Sequence, residues 1–215
     1  MNKPEYIVLH TAAHGTPSHN YDSTRAQIDA WHKARGWKGI GYHRVVRLNG
    51  EIERGRQDKE QGAHTRGLNS RSIGICFSGH GDYYPWTEKQ KISGLWLINI
   101  LMKRFSIPPQ NVIGHREAGS IRGVPDPHKT CPGKLIDMDV VRDSVRRERR
   151  SDANRKLKLT INLVLDSETS AEYLEMDETE QVIEDLLLDE LIKDHPGIAE
   201  VDIVKADIVK VEDKQ

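Results

Sequence analysis

Apolar residues in the first two thirds of the chain occur in short runs separated by polar, turn-forming segments. Residues 6–9, 70–79 and 111–115 have the length and composition of buried strands. Residues 42–56 predict two further strands, because the Asn49-Gly50 pair between them is a strong hairpin signal. The first of these runs is followed by His10, and the last ends on His115.

Two of the segments between the strands carry apolar residues at helical spacing, and each opens with a Thr and a Gln three positions apart. Thr24 with Gln27 and Thr87 with Gln90 match the capping box at the start of a helix. A third helix is predicted near residues 135–149. Strands interleaved with helices predict an α/β domain, in which a mixed central β-sheet is flanked by helices.

The C-terminal part of the chain has a pattern of its own. Residues 156–166 and 199–213 alternate apolar and polar positions, as half-buried strands do. Residues 177–194 form an acidic segment with apolar residues on one helical face. The expected structure is a small β-α-β unit.

Charge divides the chain at about the same place. Residues 1–150 hold 25 Lys and Arg against 15 Asp and Glu, a net charge of +10, whereas residues 151–215 hold 7 against 18, a net charge of −11. An asymmetry of this size indicates two units with different surfaces. We therefore expect a domain at 1–149, a linker at 150–155 and a small acidic domain of unknown role at 156–215.

Composition excludes some classes of protein. With 36% hydrophobic and 30% charged residues, the chain is expected to be soluble and globular. Its longest apolar stretch, residues 92–102, is too short and interrupted to span a bilayer. The N-terminus lacks the basic segment and long apolar run of a secretory signal. We expect synthesis in the cytoplasm without a signal peptide, and no membrane insertion.

The candidate chemistry centres on "DPHKTCPG", residues 126–133, which place Cys131 in a proline-rich loop. A cysteine in such a loop is typically a disulfide partner, a nucleophile or a metal ligand. Two cysteines do not make a disulfide framework, and Cys76 lies in a predicted buried strand, where free cysteine is common. Together with His10 and His115, Cys131 offers the two nitrogens and one sulfur of a catalytic zinc site, whose fourth position holds water.

Five segments resemble, in the same order, the zinc-dependent N-acetylmuramoyl-L-alanine amidases, in particular phage lysozymes of amidase type and animal peptidoglycan recognition proteins. They are "IVLHTAA", "GIGYHRVVRLNGEIERGR", "GAHTRGLNSRSIGICFSG", "IGHREA" and "DPHKTCPG". The resemblance covers roughly residues 5–135 and does not extend to residues 150–215. It implies that His10, His115 and Cys131 hold one catalytic Zn²⁺.

The same resemblance assigns roles to three further residues. Tyr42, in "GYH", and Lys129, two residues before the cysteine, correspond to the catalytic tyrosine and lysine, and His64 corresponds to a histidine that contacts substrate near the cleft. Zinc lowers the pKa of bound water towards about 7 and polarises the carbonyl. Lys129 would stabilise the oxyanion, and Tyr42 would orient the water or help to move its proton. Successive strand residues face opposite sides, so only one of Tyr42 and His43 is expected to face the site.

The implied function is hydrolysis of the amide bond between N-acetylmuramic acid and L-alanine in peptidoglycan, as by a phage-type endolysin acting in the periplasm or cell wall. Peptidoglycan is the expected partner, and no nucleic acid is expected. One alternative is a non-catalytic peptidoglycan-binding protein, although such relatives usually lack the cysteine ligand. Another is a cytosolic muropeptide-recycling amidase, which typically carries Asp at the position of Cys131. Some phage amidases also bind a polymerase, and the acidic C-terminal domain is a candidate protein-binding addition.

Overall fold

A computed structural model of the chain describes residues 3–125, 128–152, 158–165 and 202–210, with side chains described as far as residue 147. Its internal contacts group the chain into two compact units, Met1–Arg150 and Ser151–Gln215. The elements, in chain order, are β1 (Tyr6–Thr11), β2 (Gly15–Thr16), β3 (His19–Asn20), α1 (Arg25–Ala34), β4 (Arg44–Val46), β5 (Ile52–Arg54), β6 (Ser72–Phe77), α2 (Glu88–Arg104), β7 (Val112–Gly114), α3 (Ala118–Ile121), α4 (Met138–Asp152), β8 (Lys158–Leu165) and β9 (Asp202–Lys210).

The first unit is built on a five-stranded sheet with the order β5-β4-β6-β1-β7. Strands β4, β6, β1 and β7 run parallel to one another, and β5 pairs antiparallel with β4. The β4–β5 turn is the predicted hairpin, with Gly50 at φ +88°, in the left-handed region that glycine adopts at little cost. The predicted mixed sheet flanked by helices is confirmed.

Alternation along β1 gives the two faces of the sheet different functions. Ile7 and Leu9 lie in the main apolar core together with residues of α2 and α4. Val8 points to the opposite face, where it packs with Leu68 and Ile113. His10, two residues after Val8, shares that second face, so the sheet itself separates the main core from the candidate site.

Both predicted capping boxes are present at the helix starts. In α1 the Thr24 hydroxyl accepts from the N–H of Gln27 at 3.1 Å, and the Gln27 side chain accepts from the N–H of Thr24 at 2.9 Å. The helix predicted near residues 135–149 corresponds to α4, which begins at Met138, three residues later than predicted. The Asp137 carboxylate accepts from the N–H groups of Asp139 and Val140 at 2.8 and 3.3 Å, which caps the helix at that point.

In the second unit, β8 and β9 form a two-stranded parallel sheet. Both lie within the strands predicted at 156–166 and 199–213. The helix predicted at 177–194 lies outside the described residues, and the predicted domain boundaries stay predictions. Among the residues that the structure describes, no helix combines the length and apolar character needed to cross a membrane.

Gln90 joins the start of α2 to the sheet. Its side chain is 1% exposed, and its amide donates to the carbonyls of Val46 at 3.2 Å and Ser78 at 3.1 Å. Its carbonyl oxygen accepts from the N–H of Thr87, which closes the capping box. Gln27 occupies the same capping-box position in α1 but is exposed to solvent. The two glutamines therefore differ mainly in burial and in the contact with the sheet.

We predict that Gln90→Leu lowers the free energy of unfolding by about 2 kcal/mol, since it removes the capping contact and leaves buried groups without a partner. Gln27→Leu, the matched control, is expected to cost less than about 1 kcal/mol, because only an exposed cap is weakened. Urea unfolding of both variants measures the difference. Equal losses in the two variants would contradict a role for Gln90 beyond capping.

Candidate metal centre

His10 and His115 meet because their strands are neighbours. Strands β1 and β7 are parallel and in register at Leu9 and Gly114, so the next residue of each chain segment lies at the same edge of the sheet. The two imidazole rings are 4.4 Å apart between centroids. His10 is almost fully buried, and His115 is partly exposed.

Cys131 completes a set of three donor atoms. Its Sγ lies 3.8 Å from Nδ1 of His10, and the ligand atoms of His10, His115 and Cys131 all lie within 4.8 Å of one another. Tetrahedral zinc, with bonds of about 2.0–2.3 Å to nitrogen and sulfur, would space its ligand atoms about 3.3–3.8 Å apart. The three side chains therefore fit a metal ion of this size after small movements.

Arg116, the residue after His115, holds the loop that carries Cys131. Its backbone N–H donates to the carbonyl of Cys131 at 2.7 Å. Its guanidinium donates to the carbonyls of Thr130 at 3.1 Å, Gly133 at 2.7 Å and Ile136 at 2.6 Å. One side chain thus ties the cysteine loop to the segment of the second histidine. Arg116 is not among the site residues predicted from the sequence, although it lies in the "IGHREA" segment.

The other side of the loop is fixed by Gly81 and Asp82. The Asp82 carboxylate accepts from the Thr130 hydroxyl at 3.0 Å and from the N–H of Lys134 at 2.8 Å. Gly81 and Gly133 touch so closely that a Cβ on Gly133 would lie 2.2 Å from the Gly81 carbonyl carbon. The bond between Cys131 and Pro132 is cis. Contacts from two distant parts of the chain therefore fix the position of the thiol.

Tyr42 faces the site, and His43 does not. The Tyr42 ring is 5.0 Å from that of His10, and Tyr42 packs against the buried cluster that contains Cys76. The His43 ring is engaged by backbone groups, accepting from the N–H of Gly74 at 2.9 Å through Nδ1 and lying 3.0 Å from the Glu60 carbonyl through Nε2. Cys76, expected to be only a core residue, is thus also a neighbour of Tyr42.

Burial sets the protonation states of the site. It lowers the pKa of His115 to about 4, with the positive charges of Lys129 and Arg122 contributing next. It lowers the pKa of His10 well below its usual value, with smaller effects from His115, His64 and Lys129. Both imidazoles are therefore neutral near pH 7, which is the form that binds metal ions. The charge of Lys129 acts on both histidines and disfavours their protonation.

Burial raises the pKa values of the thiol and the phenol, whereas it lowers those of the imidazoles. Burial raises the pKa of Cys131 to about 11, although the N–H of Thr11 and the charge of Lys129 favour the thiolate. Burial also raises the pKa of Tyr42 well above its usual value, as do the nearby Cys76 and Cys131. Tyr42 therefore keeps its proton near pH 7. A bound cation would supply the charge that stabilises the Cys131 thiolate.

His64 lies behind His10. Its ring is 9% exposed, and its Nδ1 is 3.1 Å from Nε2 of His10. Burial lowers its pKa to about 3, with the charges of His43 and His115 contributing next. The role of His64 as a substrate contact, expected from the family resemblance, stays a prediction. His128, which adjoins Lys129 in the loop, is exposed.

Comparisons with known proteins agree with this geometry. Residues 1–134 match the family model described as N-acetylmuramoyl-L-alanine amidase. The chain is 42% identical over 60 residues to the endolysin of Enterobacteria phage K11, which is 28% of this chain and 40% of that protein. It is 32% identical over 144 residues to Peptidoglycan-recognition protein SC2 of Drosophila melanogaster, covering 63% of this chain and 71% of that protein.

A solved structure extends the similarity to the fold. The structure of N-acetylmuramoyl-L-alanine amidase LysC from Clostridium intestinale URNW superposes with a TM-score of 0.58 at 29% sequence identity. The superposition covers 67% of this chain and 87% of LysC. Since the family match ends at residue 134, the likeness concerns the first unit.

We predict that Arg116→Lys loosens the cysteine loop, because a lysine ammonium cannot serve three carbonyls arranged around a planar guanidinium. The free energy of unfolding should fall by about 1–3 kcal/mol, and amide hydrogen exchange at residues 130–136 should become faster. Arg146→Lys is the matched control, because Arg146 is half-exposed and its ion pair among the described side chains is with Asp143, an interaction worth about 0–1 kcal/mol. Identical exchange in the two variants would show that Arg116 does not hold the loop.

Proposed function

The chain belongs to the N-acetylmuramoyl-L-alanine amidase family, and on that premise we propose that it is a zinc hydrolase of peptidoglycan. It cleaves the amide bond between N-acetylmuramic acid and L-alanine. The observation that carries the proposal is the set of three donor atoms from His10, His115 and Cys131, within 4.8 Å of one another and beside Tyr42.

Zn²⁺ is the metal that the donor set favours. Two neutral imidazoles and one thiolate are typical ligands of catalytic zinc, whereas magnesium and calcium prefer oxygen. When bound, zinc would lower the pKa of a water molecule and polarise the substrate carbonyl. His10 and His115 would bind it as neutral ligands, and Cys131 would lose its proton on binding.

Tyr42 and Lys129 supply the remaining chemistry. Tyr42 keeps its hydroxyl proton in this buried position, so it can donate a hydrogen bond that orients the attacking water or the substrate carbonyl. Lys129 brings a positive charge to the oxygen on which negative charge develops as the carbonyl is attacked. The L-alanine amine needs a proton as it leaves, and the water's proton can reach it through these groups.

Cleavage is favoured over binding alone because the full donor set is retained. A protein that only recognises peptidoglycan has no need of a thiol held beside two neutral imidazoles. The cysteine also favours a phage-type endolysin over a muropeptide-recycling amidase, whose third ligand is typically Asp. The phage K11 relative, named endolysin, supports this choice. The site of action would then be the peptidoglycan of the periplasm or cell wall.

We predict that clearing of a suspension of peptidoglycan sacculi depends on zinc and on Cys131. A strong chelator should abolish clearing, and added zinc should restore it. Cys131→Ser should lose the metal, because a neutral hydroxyl is a much weaker zinc ligand than a thiolate. Cys76→Ala is the matched control for metal content, because it removes the other thiol of the chain, which is not a proposed ligand. Zinc is counted by plasma mass spectrometry, and a serine variant that keeps one zinc and full clearing would overturn the ligand assignment.

Tyr42→Phe and Lys129→Ala separate chemistry from metal binding. Each should retain one zinc per chain and lose about a hundredfold or more in turnover, because each removes a donor that acts on the reacting atoms. Tyr6→Phe and Lys134→Ala are the matched controls, since Tyr6 packs outside the site and Lys134 is exposed. Clearing by either site variant at near the parental rate would rule out its catalytic role.

A further inference from the structure

The two ring nitrogens of His10 face different partners. Nδ1 lies toward Cys131, at 3.8 Å from Sγ. Nε2 lies toward the interior, 3.1 Å from Nδ1 of His64 and 3.3 Å from the Thr65 hydroxyl. If Nδ1 of His10 binds the metal, Nε2 must carry the proton, and that N–H needs an acceptor inside the protein.

The Leu68 carbonyl determines the direction of the hydrogen bonds around His64. A carbonyl can only accept, so the Ser72 hydroxyl, 2.7 Å away, must donate to it. Ser72 Oγ can then accept from Nε2–H of His64, which lies 3.5 Å away. With its proton on Nε2, His64 presents the Nδ1 lone pair to His10. The chain of donors therefore runs from His10 through His64 and Ser72 to the carbonyl of Leu68.

Thr65 offers a second route to the same acceptor. Its hydroxyl lies 3.0 Å from Nδ1 of His64 and 3.3 Å from Nε2 of His10. It can accept from His10 and donate to His64, so this route also ends on Nδ1 of His64. Both routes require that His64 offer a lone pair at Nδ1.

The space around the His64 ring is shaped to hold it in place. A Cβ on Gly74 would lie 2.5 Å from Cγ of His64, and a Cβ on Gly62 would lie 2.4 Å from its Cδ2. The Asn69 side chain accepts from the N–H groups of His64 and Thr65 at 2.8 and 2.7 Å. The ring can therefore neither swing out nor be replaced by solvent without local rearrangement.

We propose that His64 is a positioning residue of the metal centre, which accepts the Nε2 proton of His10 and holds the Nδ1 lone pair of His10 toward the metal. This inference rests on the proposed function, since it assumes that His10 binds zinc. It gives His64 a role other than contact with substrate. Partners that orient a ligating histidine usually contribute strongly to metal affinity.

The test is the zinc dissociation constant, measured by competition with a chromogenic chelator and independently of activity. His64→Leu should raise it about 10–100-fold, and His64→Asn, which keeps an acceptor near the position of Nδ1, should raise it only about threefold. His32→Leu is the matched control. It removes a buried imidazole whose Nδ1 accepts from the N–H of Gly41 at 3.0 Å and whose ring lies 4.5 Å from that of Trp37, so it should lower stability and leave zinc affinity unchanged.

His64→Phe provides a second measurement should His64→Leu fail to fold. It places a ring in the same space without a lone pair and should also raise the zinc dissociation constant about tenfold or more. Parental zinc affinity in His64→Leu, or in His64→Phe if the leucine variant does not fold, would overturn the positioning role. Parental affinity together with weakened sacculus binding would identify a substrate contact instead.

The outcomes also separate this inference from the proposed function. A parent chain that binds no zinc would overturn both. A parent that binds zinc through Cys131 but releases no stem peptide would overturn the amidase activity alone, and the zinc affinities of the variants would still decide the role of His64.

Discussion

The parallel pairing of β1 with β7 is the constraint on which the candidate site depends. It sets Leu9 beside Gly114, so that His10 and His115 follow at the same edge of the sheet. Because side chains alternate along a strand, a slip of one residue in β1 would turn His10 into the main core and Leu9 into the site. The apolar face of β1, which is buried against α2 and α4, therefore fixes the register that the site needs.

The third ligand depends on contacts that close around the cysteine loop. Arg116 donates to four backbone carbonyls of the loop on one side, and Gly81 with Asp82 fixes the other. Two consecutive residues after β7 thus serve the same site. His115 is a proposed ligand, and Arg116 holds the loop that carries Cys131. Burial keeps the imidazoles neutral, which is the form that binds a cation. Burial also disfavours the Cys131 thiolate as long as no cation is bound.

Local patterns in the sequence were enough to predict most of the fold of the first unit. The capping boxes at Thr24 and Thr87 and the Asn49-Gly50 turn depend on residues a few positions apart, so the sequence shows them directly. The grouping of His10, His115 and Cys131 followed from residue types and a family resemblance. The contacts of Arg116 with the cysteine loop could not be predicted, nor could the contact between Ser72 and His64. Both join segments whose proximity is set only by the tertiary fold.

The central claim, that this chain hydrolyses the amide between N-acetylmuramic acid and L-alanine, is tested most directly by mass spectrometry of the fragments released from purified peptidoglycan sacculi. The account predicts intact stem peptides with a free N-terminal L-alanine, and glycan strands that remain uncut. Release of cleaved sugars without free stem peptides, or no release by a zinc-loaded protein that binds the sacculi, would contradict it.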